Sequence, residues 1–158
     1  MSPPRRLIVV ASPHRGNTRR VAEVMADVLG AEVVVPDDVA AETLRGCELV
    51  GFGSGVYYGR MHESLFALVR RFSAARGADA AAAPRAFVFS TSGLPFLAKA
   101  WHAPLVRLLA DKGFDVAGAF ACRGFDTWGP LWLVGGLNRT HPDARDLARA
   151  REFAARVR

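Results

Sequence analysis

The chain has 158 residues, 51% hydrophobic and 23% charged, with a formal net charge of +6. That suits one domain, residues 1–158, with a sizeable core, and no apolar run reaches the length of a membrane span. The basic residues are nearly all arginine and scattered; without a basic stripe interleaved with aromatics, or a nucleic-acid module motif, nucleic acid is not an expected partner.

The first apolar run is Leu7–Ala11. His14 and Arg15 follow it, not a small-residue cleavage site, so it reads as a strand and not a secretion signal. Next comes the polar turn Ser12-Pro-His-Arg-Gly16-Asn17-Thr18. A helix follows, with Val21, Val24, Met25 and Val28 at i, i+3, i+4 and i+7. Gly30 stands where that helix should stop. Glu32–Val35 is the second strand, and Pro36 to Gly46 is a short, less regular connection. Leu49–Gly53 is the third strand, followed by the turn Gly53-Ser-Gly-Val-Tyr-Tyr-Gly59. Leu65, Leu68, Val69 and Phe72 mark the next helix. Gly77 to Ala83 is an Ala-rich link, read as a loop or helix tail. Ala86–Ser90 is the fourth strand, ending in Ser90-Thr-Ser-Gly93. Trp101, Leu105, Leu108 and Leu109 give a fourth helix that stops near Gly113. Val116–Ala121 is the fifth strand, and Leu147, Ala150, Ala154 and Val157 mark the last helix.

Strands alternating with helices predict an α/β fold: a five-stranded parallel sheet between two helical layers, a three-layer sandwich of order 2-1-3-4-5. Ligands of such sheets bind beyond the carboxyl ends of the strands, where the strand order reverses. Three turns rich in glycine and hydroxyl side chains leave that edge. The first suits a phosphate, because the opening N–H groups and dipole of the helix point into it. Ser12 and Thr18 would add hydroxyls, although Asn or Thr here is equally suited to capping the helix. In the second, glycines allow close approach of a flat ligand, and Tyr57 or Tyr58 could stack on it. The third would place small groups at a ring edge.

Together the Gly16-Asn17-Thr18, Gly53–Gly59 and Ser90–Gly93 turns resemble the phosphate loop and the two ring-enclosing loops of flavodoxins. The segments Cys122-Arg-Gly-Phe-Asp-Thr-Trp-Gly-Pro130, Gly135-Gly-Leu-Asn138 and His141-Pro are similar to those of short flavodoxin-family proteins. The resemblance implies a flavodoxin-like fold binding FMN. Its phosphate would lie at Ser12, His14, Arg15, Gly16, Asn17 and Thr18. Its ring system would lie between Ser54, Gly55, Val56, Tyr57, Tyr58 and Gly59 on one side and Thr91, Ser92 and Gly93 on the other. No metal is implied. The chain departs from the usual pattern at Arg15, where a Thr or Ser is customary; the side chain pairs with the phosphate or faces solvent, and both stay open. Flavodoxin shuttles are usually acidic, and this chain is basic.

The resemblance implies cytoplasmic electron transfer to a partner oxidoreductase by a monomer or homodimer. A second reading is an FMN-dependent oxidoreductase or dehydrogenase acting on a small or hydrophobic substrate. Tyr58-Gly59-Arg60 with His62 to Phe66 resembles the flavodoxin-like protoporphyrinogen oxidases, which would give the basic surface a use at a membrane. A third is a flavin-free descendant of the fold. Cys47 and Cys122 are expected as reduced thiols, with Cys122 buried and inert. The apolar segment Cys122 to Gly136 is expected to pack over the core, with a lid, an oligomer interface and a docking surface as alternatives. Asp126 reads as a turn residue. His14, His62, His102 and His141 are expected at the surface or at helix ends.

Overall fold

The computed structural model describes residues 5–12, 16–73, 84–124 and 142–158. The elements run β1 (Arg5–Ala11), α1 (Asn17–Leu29), β2 (Glu32–Val34), α2 (Ala41–Arg45), β3 (Cys47–Tyr57), β4 (Arg60–Met61), α3 (Glu63–Arg71), β5 (Arg85–Ser92), α4 (Ala98–Asp111), β6 (Asp115–Arg123) and α5 (Ala144–Val157). The sheet order is β2-β1-β3-β5-β6, all parallel, with the two-residue β4 antiparallel to β3. Without that hairpin arm it is the expected 2-1-3-4-5. Parallel neighbours need crossovers, and the helices supply them on both faces.

Side chains on β1 alternate between two cores. Leu7, Val9 and Ala11 face the side packed by Leu65, Leu68 and Val69 of α3 and Leu105 and Leu109 of α4. Ile8 and Val10 face Val21, Met25 and Leu29 of α1 and Ala150, Phe153 and Ala154 of α5. The periodic positions hold, though Val24 and Val28 lie only at the margin of this second core. Gly30 and Gly113 end α1 and α4 with positive φ, as expected. The connection from Pro36 to Gly46 becomes a 3-10 turn, Pro36–Asp38, and the five-residue α2.

The expected end of the third strand needs correction. β3 runs to Tyr57, well past Gly53, because its last residues pair back with β4. Gly53 is therefore in the sheet and serves packing. A Cβ on it would stand 2.1 Å from the Phe89 ring, and one on Gly51 would stand 2.3 Å from Phe87. In the register Gly51 faces Phe87 and Gly53 faces Phe89, so two buried rings fill the space that two missing side chains leave. The link Gly77 to Ala83 and the segment from Phe125 to His141, including Asp126, lie outside the described residues.

Candidate functional site

The carboxyl ends of β1, β3, β5 and β6 carry the polar turns. Of the first turn, Ser12, Gly16, Asn17 and Thr18 are described, while His14 and Arg15 lie outside the described residues. α1 starts at Asn17, with Gly16 as its N-cap at φ +66°. A left-handed residue without a Cβ fits there with little strain. Glycine has no side chain to cap the helix itself, and the first turn holds no acidic residue. Asn17 and Thr18 lie inside α1, so the N-cap position itself falls to Gly16. Among the described residues, the opening N–H groups and positive dipole end of α1 thus meet no carboxylate from its first turn.

The Thr18 hydroxyl is buried and lies 2.8 Å from the Thr91 hydroxyl at the end of β5. Thr18 is therefore committed to a neighbour as well as available to a ligand. A hydroxyl donates once and accepts twice, so one shared bond leaves one of the two protons for a guest. Gly124, just past β6, closes over this pair. A Cβ there would meet the Thr91 Cβ at 3.0 Å and the Asn17 Nδ2 at 3.3 Å. The Gly124 N–H donates to the Ser92 carbonyl at 3.0 Å. Sequence reading missed Gly124; its signal was a glycine directly beyond the last strand on the ligand-binding edge.

The second turn is a hairpin. Val56 pairs with Met61 and Tyr57 with Arg60, which leaves Tyr58 and Gly59 as its two-residue turn. Both have positive φ, +51° and +75°. This is the signature of a type I′ turn, where Asn-Gly is the common choice. A tyrosine in the left-handed region costs about 1–2 kcal/mol. The side chain so placed is 86% exposed. Tyr57 is half-buried, edge-on to the His62 ring at 5.6 Å between centroids. Burial raises its phenol above the usual value. Its hydroxyl lies 3.0 Å from where a Gly55 Cβ would stand, so Gly55 makes room for this tyrosine.

Ser54 has a structural job. Its buried hydroxyl donates to the Gly55 carbonyl at 2.6 Å and accepts from the His62 N–H at 3.0 Å, which ties the base of the hairpin. His62 caps α3: its Nδ1 accepts from the Ser64 N–H at 3.1 Å. The expected helix-end role fits His62.

At the third turn, Ser90, Thr91 and Ser92 end β5. The Ser90 hydroxyl is buried within 2.6 Å of His102 Nε2. His102, expected at the surface or a helix end, is instead a core residue of α4, and burial pushes its pKa down to about 4. It is neutral at physiological pH. The neighbouring Trp101 lies against the hairpin, its indole Nε1 3.5 Å from where a Cβ on Gly59 would stand. Successive residues of α4 thus brace the second and third turns. Neither contact was readable from helical spacing.

The Ser92 hydroxyl is the orphan: buried, with no hydrogen-bond partner among the described residues. Buried polar groups are nearly always paired, and leaving one unpaired costs about 1–3 kcal/mol. An unsatisfied donor on the ligand-binding edge suits a guest that brings an acceptor.

Cys122 is buried at the end of β6, opposite Thr91. Burial first, and then Asp146, push its thiol up to about 12, so it is no nucleophile near neutral pH. Burial also raises Cys47, whose thiol donates to the Thr43 carbonyl at 3.4 Å. Among the described residues, no three His, Cys, Asp or Glu side chains are grouped to hold a metal, and no helix is long and apolar enough to cross a membrane.

The family model for the flavodoxin domain matches residues 7–95. A protein of uncharacterised function from Methanocaldococcus jannaschii is 38% identical over 151 residues, 96% of either chain. Oxidised flavodoxin 2 from Bacillus cereus superposes with a TM-score of 0.69 at 17% identity, covering 97% of both chains. A flavodoxin from the domain Archaea superposes at 0.66 with 15% identity, covering 97% of this chain and 95% of its own. The fold, the order of the strands and the family model agree, and the chain belongs to the flavodoxin-domain family.

Proposed function

We propose that the protein binds FMN noncovalently at the carboxyl edge of the sheet and passes electrons to a partner oxidoreductase. The observation that carries this reading is the start of α1. A thirteen-residue helix opens at the switch point with a left-handed glycine as its N-cap residue and no acid in its first turn. Such a terminus suits a phosphate. The orphaned Ser92 hydroxyl supports the fit of the remaining guest.

Asn17 and the Thr18–Thr91 pair would hold the phosphate, with Gly124 closing the edge of that pocket. Tyr58, held outward by the hairpin, would cover one face of the ring system, and Ser92 and Gly93 would meet its edge. Bound FMN supplies one- and two-electron redox chemistry, and the protein sets its potential and access. Tyr57 keeps its phenolic proton, and the neutral His102 braces the third turn without adding charge. A backbone carbonyl of Gly55 or Gly59 would accept a hydrogen bond from the N–H of the reduced ring system.

Titration of the apoprotein with FMN tests this. The expected result is stoichiometric binding with quenched flavin fluorescence, and reduced holoprotein that is reoxidised by a second redox protein. An apoprotein indifferent to FMN overturns the reading. Turnover of a small organic substrate without a second protein moves it to the enzyme alternative.

A further inference from the structure

Among the described residues, the exposed large hydrophobic side chains are Tyr58, Leu94, Phe96 and Leu97. All four sit beyond the carboxyl ends of strands, the edge where the proposed cofactor binds. Tyr58 belongs to the hairpin, and the other three follow β5, at the 3-10 turn Pro95–Leu97. Phe96 is 77% exposed. It forms one wall of a depression of about 540 Å³, and the end of β6 and the first turns of α5 form the others.

The charges around that depression face two ways. Arg123, Arg145 and Arg149 line it and are exposed. Two carboxylates, Asp143 and Asp146, line it as well, but each accepts a hydrogen bond at 2.9 Å from the other's backbone N–H, which caps α5. Asp146 is also buried. Arg149 lies 4.0 Å from Asp146 and over the Phe120 ring. Three guanidinium groups still outnumber the two carboxylates, and the exposed Arg123 and Arg145 beside Phe96 carry that excess. Protein interfaces have this composition, with aromatic anchors and arginine enriched and polar groups at the rim. The +6 charge of the chain acts at longer range in the same sense.

We infer that this face docks an acidic electron-carrier protein, whose surface carboxylates meet Arg123 and Arg145 beside Phe96. The inference rests on the electron-transfer reading above and names the charge of the partner. The carrier would approach beside the third turn, next to the proposed ring site, and complementary charge would raise its association rate.

The test uses FMN-loaded protein and two carriers of opposite charge. In the first arm, a reduced acidic [2Fe–2S] ferredoxin is mixed with oxidised holoprotein. One electron leaves the iron–sulfur cluster and enters the flavin, and the flavin absorbance reports the rate. In the second, reduced holoprotein gives one electron to the haem of basic cytochrome c. The ferredoxin rate is expected to fall about tenfold from low to physiological salt, while the cytochrome c rate rises or stays level. The double variant Arg123→Glu/Arg145→Glu should slow ferredoxin about tenfold at low salt and speed cytochrome c. Phe96→Ser should slow ferredoxin about threefold and leave its salt dependence intact. Circular dichroism and FMN affinity check that the variants fold.

A salt response of the same sign for both carriers overturns the inference. So does a double variant within about twofold of the parent, or reduction by NADPH alone as fast as by ferredoxin. If FMN itself does not bind, the flavin spectrum shows it before any carrier is added, and the electron-transfer reading falls together with the docking inference. A flavin-loaded protein that ignores carrier charge overturns the docking inference alone.

Discussion

Two helices open side by side at the same edge of the sheet, and they open differently. α5 begins with a reciprocal capping box: the Asp143 side chain accepts from the Asp146 N–H, and the Asp146 side chain accepts from the Asp143 N–H. α1 begins with a bare glycine. Both packed faces are apolar, both helices contact the same core, and only the polar ends distinguish them. A helix that closes its own hydrogen bonds is finished when the chain folds. One that starts from a glycine, with no acid in its first turn, favours an anion from outside. The same contrast recurs at the end of β5, where Ser90 is closed by His102 and Ser92 is left unpaired.

The closed groups should govern stability, and the largest effect is expected at His102. Its folded pKa, about 4, lies below the ordinary 6.5 because burial disfavours the charged ring. Between those values the unfolded chain binds the extra proton, so stability rises with pH across that window. The contribution is fully present above pH 6.5 and is lost as the pH falls towards 4. Relative to His102→Gln, the parent should lose about 3 kcal/mol between neutral pH and the bottom of that window. Urea unfolding of the apoproteins at both ends measures it, and parallel pH profiles would show that the ring is not held neutral by its surroundings.

The open groups should govern binding. Gly16→Asp would place a carboxylate at the N-cap of α1, where it accepts from the helix and repels a phosphate. Aspartate tolerates the left-handed region better than most residues, so folding should survive. FMN affinity is expected to fall about a hundredfold, or about 2.7 kcal/mol. Flavin fluorescence titration decides it; an unchanged dissociation constant would break the contrast between the two helices. The converse variant, Asp143→Ala, should cost about 1 kcal/mol of stability in urea and leave FMN affinity where it was.

The difference between open and closed groups also separates what the sequence could reveal from what it could not. The strands at Leu7–Ala11 and Ala86–Ser90 are readable because burial on both faces demands continuous apolar residues. The opening of α1 is readable because its chemistry is local: a glycine and small polar residues between a strand and a helix. Gly53 is not, because what excludes its side chain is the Phe89 ring on a different strand. The bonds of Ser54 and His102 are hidden for the same reason. Each looks available in its own segment, and each is taken by a partner, His62 or Ser90, that only the fold supplies. The end of β3 is hidden because a tyrosine fills the left-handed turn position where an asparagine would have signalled the hairpin.

The smallest expected effect is the most discriminating. Ser92 and Ser90 lie two residues apart on one strand, and alanine at each should act in opposite ways. Ser90→Ala removes a partner from His102 and should destabilise the apoprotein by about 1–3 kcal/mol, because it leaves a buried ring nitrogen unpaired. Ser92→Ala removes a hydroxyl that has no partner to lose. The apoprotein should be as stable as the parent, or more stable by up to about 1 kcal/mol, since a desolvated polar group has gone. If that hydroxyl is there for the cofactor, FMN affinity should drop about threefold to tenfold, the net worth of one hydrogen bond. Urea midpoints and fluorescence titration give the two numbers for each variant. An apoprotein weakened by Ser92→Ala would mean that the hydroxyl already serves the fold, and the case for keeping it open for a guest would fail with it.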